Sequence, residues 1–287
     1  MTHLPEGLDP RLTAARPDLA ALHLKGMVEA ARFVAGERFA VTRPGVPVRK
    51  EPDPLAPLVT EALFGETVTV YETTMEGWAW GQLDGDLYVG WLPSEALSAP
   101  GARATHSVRA LRTPVFPGPS IKLPPTELLS LGSRVAITGT RERFAVTAGG
   151  GFVFADHLAS LGTHETDFVA VAAQYLGAAY LWGGRSSLGL DCSGLVQVSL
   201  AAAGIEAPRD TDMQEKAVGA PVAFSGALGE LRRGDLLFWP GHVGIVEDGE
   251  TLLHATAFFM SVVREPLAAA LARIQAGGTP LRSVRRL

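Results

Sequence analysis

Tyr180-Leu-Trp-Gly-Gly-Arg-Ser-Ser-Leu-Gly-Leu-Asp191-Cys192-Ser193-Gly194-Leu-Val196 is the stretch that decides the fold. It carries the only cysteine of the chain, Cys192, behind a loop rich in glycine (Gly183, Gly184, Gly189). Leu195, Val196, Val198 and Leu200 then lead into Ala201 to Ala203 and Gly204. This order reads as a loop that delivers Cys192 to the first turn of a buried helix, with Gly204 as C-cap. A thiol there feels the positive end of the helix dipole and can be a thiolate near neutral pH. A lone cysteine is also a common inert core residue, so its meaning depends on the residues available to partner it.

Two histidines are available downstream, in Gly234-Asp-Leu-Leu-Phe-Trp-Pro-Gly-His242-Val-Gly-Ile-Val-Glu-Asp-Gly-Glu-Thr-Leu-Leu-His254. Leu236 to Trp239 reads as a short apolar strand, and His242 opens a second one, Val243 to Val246. Asp248-Gly249 signals a hairpin turn, and Thr251 to His254 starts the returning strand. The two histidines flank one hairpin and can meet. A thiol, an imidazole and a second polar group that orients it make a nucleophile, its base and its orienter. Cys192 and the two histidines are also a possible zinc set. Tight ligand spacing such as His-Glu-x-x-His is absent, so neither a metal nor another cofactor is expected.

Six fragments in order carry a family resemblance: Tyr180-x-Trp-Gly-Gly, Asp191-Cys-Ser-Gly, Arg209-Asp210-Thr211-x-x-Gln214, Gly234-Asp-Leu, Gly241-His-Val-Gly-Ile and His254-Ala. They resemble the NlpC-type papain-like cysteine peptidases of bacterial cell-wall metabolism, over about the last 120 residues. The resemblance implies Cys192 as nucleophile, His242 as acid and base, His254 as its orienter, and Tyr180 as an oxyanion donor beside the Cys192 backbone N–H. A phenol suits that task, although an amphipathic core tyrosine is the plain alternative. Trp182, Gly183 and Gly184 are expected to serve packing and tight backbone.

The resemblance also implies a substrate. Family members with SH3-like domains cut murein stem peptides that begin with a free L-Ala, between γ-D-glutamate and a diamino acid. In them an aspartate matching Asp210 holds the free amine. Asp191, Ser193 and Thr211 contact the peptide, a tyrosine matching Tyr88 closes the site, and Arg209 supports the loop or meets a carboxylate. Glu51 is a further candidate for the amine. For Asp210 an ordinary helix N-cap before Met213-Gln214-Glu215 is the simpler role, and it can hold both. The expected function is a cysteine endopeptidase in murein peptide recycling. The alternatives are a cell-wall binding protein and another thiol acyl-transfer or amidase activity on the same fold.

The remainder of the 287 residues fits this frame. At 47% hydrophobic and 19% charged, with no transmembrane run, the composition is that of a soluble globular chain. A net charge of -5 lacks the basic footprint of a nucleic-acid binder, and neither nucleic acid nor membrane is an expected partner. Met1 to Ala20 has acidic residues and no apolar h-region, so a cytoplasmic location is expected. Residues 1–37 carry a helical pattern in Leu19, Leu22, Leu24, Val28 and Phe33, whose apolar face should pack on a domain. Residues 38–100 read as close-set strands with turn signals, a small barrel. Val48-Arg-Lys-Glu-Pro, Gly77-Trp-Ala-Trp and Tyr88-Val-Gly-Trp-Leu resemble a bacterial SH3-like domain. Residues 101–162 repeat that pattern: Leu131-Gly-Ser-Arg-Val echoes Phe64-Gly-Glu-Thr-Val. The fold class predicted is α+β: two all-β SH3-like barrels, then a papain-like domain over residues 163–287 that ends in a helix, Pro266 to Gln275, and a basic tail or strand, Arg282 to Arg286.

Overall fold

The computed structural model describes residues 4–287. The chain divides into two compact units, Met1–Leu161 and Gly162–Leu287.

In the first unit, residues 37–98 form a seven-stranded antiparallel sheet that curls around Val46, Val48, Val68, Leu83 and Leu92. The strands predicted from alternation and turns are present, and Trp78–Leu83 matches end for end. Residues 106–160 build a second all-β body from a three-stranded and a five-stranded sheet around Val108, Leu129, Val153 and Leu158. The echo between the halves is structural. Each ends in a single 3-10 turn, Ser94–Ala96 or Ala155–His157, followed by a short strand, Leu97–Ser98 or Leu158–Ser160. Tyr88 lies in the core of the first barrel, 5% exposed.

The helix expected from Leu19 to Phe33 does not form; the first three residues of the segment 1–37 lie outside the described residues. Ala20–Ala21 and Phe33–Val34 pair as two short parallel strands, joined through a 3-10 turn at Leu22–Leu24. At Ala20 and Ala21 the backbone donors go across the segment: Ala20 N–H donates to the Arg32 carbonyl and Ala21 N–H to that of Ala14. Tertiary burial overrides helical periodicity here. Leu19, Ala20, Leu24 and Val28 pack on Trp80 and Trp91 of the first barrel, as expected of the apolar residues. Arg16 lies over both indoles, 4.4 and 4.9 Å from the ring centroids.

The second unit sets four helices beside a six-stranded antiparallel sheet. The sheet order is Ala220–Val222, Ser283–Arg286, Leu236–Trp239, His242–Val246, Thr251–Thr256, Ser261–Pro266. The basic C-terminal stretch is therefore an interior strand. Its Val284 is buried, and Arg286 pairs with the buried Asp235. The helices are α1 (Phe168–Ala173), α2 (Cys192–Ala202), α3 (Thr211–Ala217) and α4 (Leu267–Ala276). Asp167 caps α1 by accepting from the N–H groups of Val169 and Ala170. Residues Cys192 to Leu200 of α2 are all buried, which is why its sequence is apolar around the whole cylinder. The helix packs on the strands that carry the two histidines. It ends at Ala202, and Gly204 takes the left-handed φ of +76° just beyond the cap.

Candidate active site

Cys192 is the first residue of α2, as the loop-to-helix reading predicts. Asp191 makes this geometry. Its Oδ1 accepts from the Gly194 N–H at 2.7 Å, capping the helix, and its Oδ2 accepts from the Gly183 N–H at 2.8 Å, fixing the preceding loop. A side chain at Gly194 would strike the Gly184 carbonyl oxygen, 2.2 Å from an added Cβ, so the Cys-Ser-Gly order lets the loop lie directly on the helix.

Arg209, fully buried, locks this loop. It donates to both carboxylate oxygens of Asp191 at 2.9 and 2.7 Å, to the Ser193 hydroxyl at 2.9 Å and to the Gly184 carbonyl at 3.2 Å. Of its two expected roles, loop support is the one the structure displays. Asp191 and Ser193 were expected to contact a peptide; their side chains are buried and engaged with Arg209, each other and the loop. Gln214 ties α3 to the same framework by donating to Ser193 and Pro208 carbonyls at 2.9 Å each.

His242 is presented by the turn Trp239-Pro240-Gly241-His242, with Trp239 paired to His242 across it. Proline at the second position and glycine at φ +73° at the third is the type II pattern. The Cys192 sulfur lies 4.0 Å from the Gly241 carbonyl oxygen and receives a hydrogen bond from the Val243 N–H, so it sits against both neighbours of His242. The Thr211 hydroxyl, at the start of α3, reaches the same sulfur. Asp210, half-buried, holds the N-cap position of α3 and makes no side-chain capping bond there. Tyr180 is half-buried, and its hydroxyl is pushed well above the usual phenol range by burial and then by the charges of Cys192 and Asp191, which keeps it a proton donor.

His242 and His254 meet: Nε2 of His242 lies 2.9 Å from Nδ1 of His254. The relay extends one group further. Nε2 of His254 lies 3.2 Å from Oε2 of Glu265, and Arg273 of α4 grips both Glu265 oxygens at 2.9 and 2.7 Å. Neither Glu265 nor Arg273 stands out in the sequence. The available signal is register: Ser261–Pro266 pairs with Thr251–Thr256 so that Glu265 opposes Leu252, on the same face as His254. Phe258 and Phe259, just beyond the His254 strand, are 64% and 47% exposed, with the Arg273 guanidinium over the Phe258 ring. Trp182 is 68% exposed and so does not serve packing, while Gly183 does take a left-handed φ of +76°.

The surroundings of Cys192 work against the thiolate that its place at the helix start would favour. Burial, and then the Asp191 carboxylate, push the Cys192 thiol up to about 11 against hydrogen bonds from Val243, Thr211 and Ser193. Burial, followed by His254 and Arg273, pushes His242 down to about 3. A full desolvation penalty outweighs a helix dipole worth about 1 kcal/mol. Both shifts favour a neutral thiol and a neutral imidazole in the substrate-free protein. The alkylation rate of Cys192 by iodoacetamide is therefore expected to climb from pH 7 to pH 10. A rate already level between pH 5 and pH 8 would show a preformed ion pair instead.

Residues 177–270 match the NlpC/P60 family, and residues 48–97 match the bacterial dipeptidyl-peptidase SH3 domain. Dipeptidyl-peptidase 6 of Lysinibacillus sphaericus is 33% identical over 102 residues, 36% of this chain and 36% of that protein. Gamma-D-glutamyl-L-lysine dipeptidyl-peptidase of Bacillus subtilis is 39% identical over 103 residues, 33% of this chain and 32% of that protein. The chain thus spans about a third of the length of these curated relatives. Among solved structures, an NlpC/P60 family protein from Bacillus cereus superposes with a TM-score of 0.73 at 20% identity, over 87% of this chain and 99% of that one. That likeness establishes the fold: an SH3-like β domain followed by a papain-like domain.

Proposed function

For a chain that joins a bacterial dipeptidyl-peptidase SH3 domain to an NlpC/P60 domain, we propose a cysteine peptidase that hydrolyses the γ-D-glutamyl bond of murein stem peptides beginning with a free L-Ala. The observation that carries this reading is the placement of Cys192, at the head of a buried helix and against both neighbours of His242.

The chemistry rests on the geometry. His254 occupies Nε2 of His242, so Nδ1 of His242 is the nitrogen left to serve the sulfur. As Cys192 attacks the γ-carbonyl, the S–C bond forms and the thiol proton moves to His242. The oxyanion is met by the Cys192 N–H, which has no acceptor within its helix, and by the Tyr180 hydroxyl. The C–N bond then breaks, and His242 protonates the departing amine of the diamino acid. Water, deprotonated by His242, cleaves the thioester and releases L-Ala-D-Glu.

Asp210 supports the free-amine requirement. It directly precedes Thr211, whose hydroxyl touches the sulfur, so its carboxylate is carried by the residue next to the thiol's neighbour. A charge-assisted hydrogen bond is worth about 1.5–3 kcal/mol, or roughly 10–100-fold in binding. Asp210→Asn is expected to raise KM for the tripeptide by about that factor, with alkylation of Cys192 unchanged. Acetylating the peptide's amine should have an effect of the same kind on the wild-type protein. Equal cleavage of free and acetylated peptides would remove Asp210 from this role. Action on recycled peptides in the cytoplasm is part of the proposal, and cell fractionation with an antibody to the chain tests it. The dipeptidyl-peptidase names of the two curated relatives favour this substrate class over a wall anchor.

A further inference from the structure

A neutral histidine does not by itself orient another. Each ring has one N–H and one lone pair, so the contact between His242 and His254 can be made in two ways. In one, His242 donates from Nε2 and keeps a bare Nδ1, which can take a proton from Cys192. In the other, His254 donates from Nδ1, His242 accepts at Nε2, and its own proton moves to Nδ1. That second form faces the thiol with an N–H and cannot act as base. The 2.9 Å distance fits either arrangement.

What breaks the tie is the group behind His254. We propose that Glu265, clamped by Arg273, is a positioning residue that sets the tautomer of His254 and, through it, of His242, leaving Nδ1 of His242 bare toward Cys192. An ionised carboxylate only accepts hydrogen bonds, so Nε2 of His254 must carry its proton to meet Oε2 of Glu265. Nδ1 of His254 is then bare and accepts from Nε2–H of His242. Arg273 supplies what this needs. Its paired bonds to both Glu265 oxygens hold the carboxylate ionised and well below the usual range, and its planar fork fixes the direction of Oε2. When His242 takes the thiol proton, it carries an N–H at both nitrogens, and its charge is met through His254 by the Glu265 carboxylate. His254 has no exposed side-chain surface, so water cannot replace Glu265 as the acceptor. This inference rests on Cys192 and His242 as nucleophile and base, and not on the identity of the peptide.

The competing role is structural, an ion pair that ties the last residues of Ser261–Pro266 to α4. The neighbouring pair Arg264–Glu247, on the same strand and away from the histidines, is the control for it. The experiment is nitrogen NMR of the full chain carrying labelled histidine, for wild type, Glu265→Leu, Arg273→Met and Arg264→Met, with Cys192 alkylation rates and tripeptide kinetics on the same samples. The wild type and Arg264→Met are expected to show His242 and His254 both protonated at Nε2 and bare at Nδ1. Glu265→Leu is expected to show protonated Nδ1 on both rings, slower alkylation, and a kcat lower by about 100-fold with KM little changed, the low end of a general base's contribution. Arg273→Met should move in the same direction by less. A wild-type His254 with its proton on Nδ1 overturns the proposal without any variant. Unchanged tautomers in Glu265→Leu overturn it as well. If the wild type leaves the tripeptide intact, the substrate reading fails, while the NMR and alkylation readouts still decide the role of Glu265.

Discussion

Cys192→Ala is expected to release no diamino acid from L-Ala-γ-D-Glu-meso-diaminopimelate under conditions where the wild type converts it fully. Cys192 is the only cysteine in the chain, so no second thiol can take over the acyl group. The substitution leaves Tyr180, His242 and the helix terminus in place and removes only the atom that bonds to the carbonyl. Loss of a nucleophile of this kind costs about 10⁴-fold or more, since only oxyanion stabilisation and binding are left. Mass spectrometry of the tripeptide digest reads the result directly. Release by wild type alone would establish nucleophile, bond and substrate class together. Release by both proteins would mean that the sulfur is not the nucleophile. No release by either would leave the thiol site intact and point to a different acyl donor.

Arg209→Met is expected to cost the Gly162–Leu287 unit more stability than any other single change outside its apolar core. Arg209 is the one cation in contact with the buried Asp191 carboxylate among the hydrogen bonds described for it, which otherwise come from the Ser193 hydroxyl and the Gly183 and Gly194 N–H groups. Removing one partner of a buried pair strands the other charge, at about 3–5 kcal/mol. With a urea slope of about 2 kcal/mol per molar, the unfolding midpoint should fall by about 2 M. The single thiol makes the measurement specific to this unit: reaction of Cys192 with a chromogenic disulfide across a urea series reports its exposure alone. Arg209→Lys should fall between the two, because an ammonium cannot reproduce the forked contact with Asp191. A midpoint within about 0.5 M of wild type, on the scale of a typical surface change, would show that the loop is held by its backbone bonds instead. Activity should fall along with stability in Arg209→Met, since Asp191 both caps the nucleophile's helix and fixes the glycine loop before it.

The sequence by itself determined the elements whose signals are local. The Cys192 helix and the positive-φ Gly204 at its end were legible because capping chemistry and apolar runs act within a few residues. The hairpin that brings His242 to His254 was legible because Asp248-Gly249 and the apolar runs around it mark a turn between two strands, although the register, Val246 opposite Leu252, differs by one residue from that of a two-residue turn. The strands of the first barrel were legible for the same reason, and the duplication of the β body from the echo of its turns. The tertiary structure decided whatever depends on a distant partner or on burial. Leu19 to Phe33 has helical spacing, but the indoles of Trp80 and Trp91 give its apolar residues a surface that an extended chain covers. Asp191 and Ser193 stand beside the nucleophile in sequence, yet Arg209, many residues later, turns their side chains inward. Glu265 and Arg273 complete the histidine pair across a strand register and a helix, which no short motif encodes. The protonation of Cys192 was decided last, because burial, not position on a helix, sets the energy of a charge that water cannot reach.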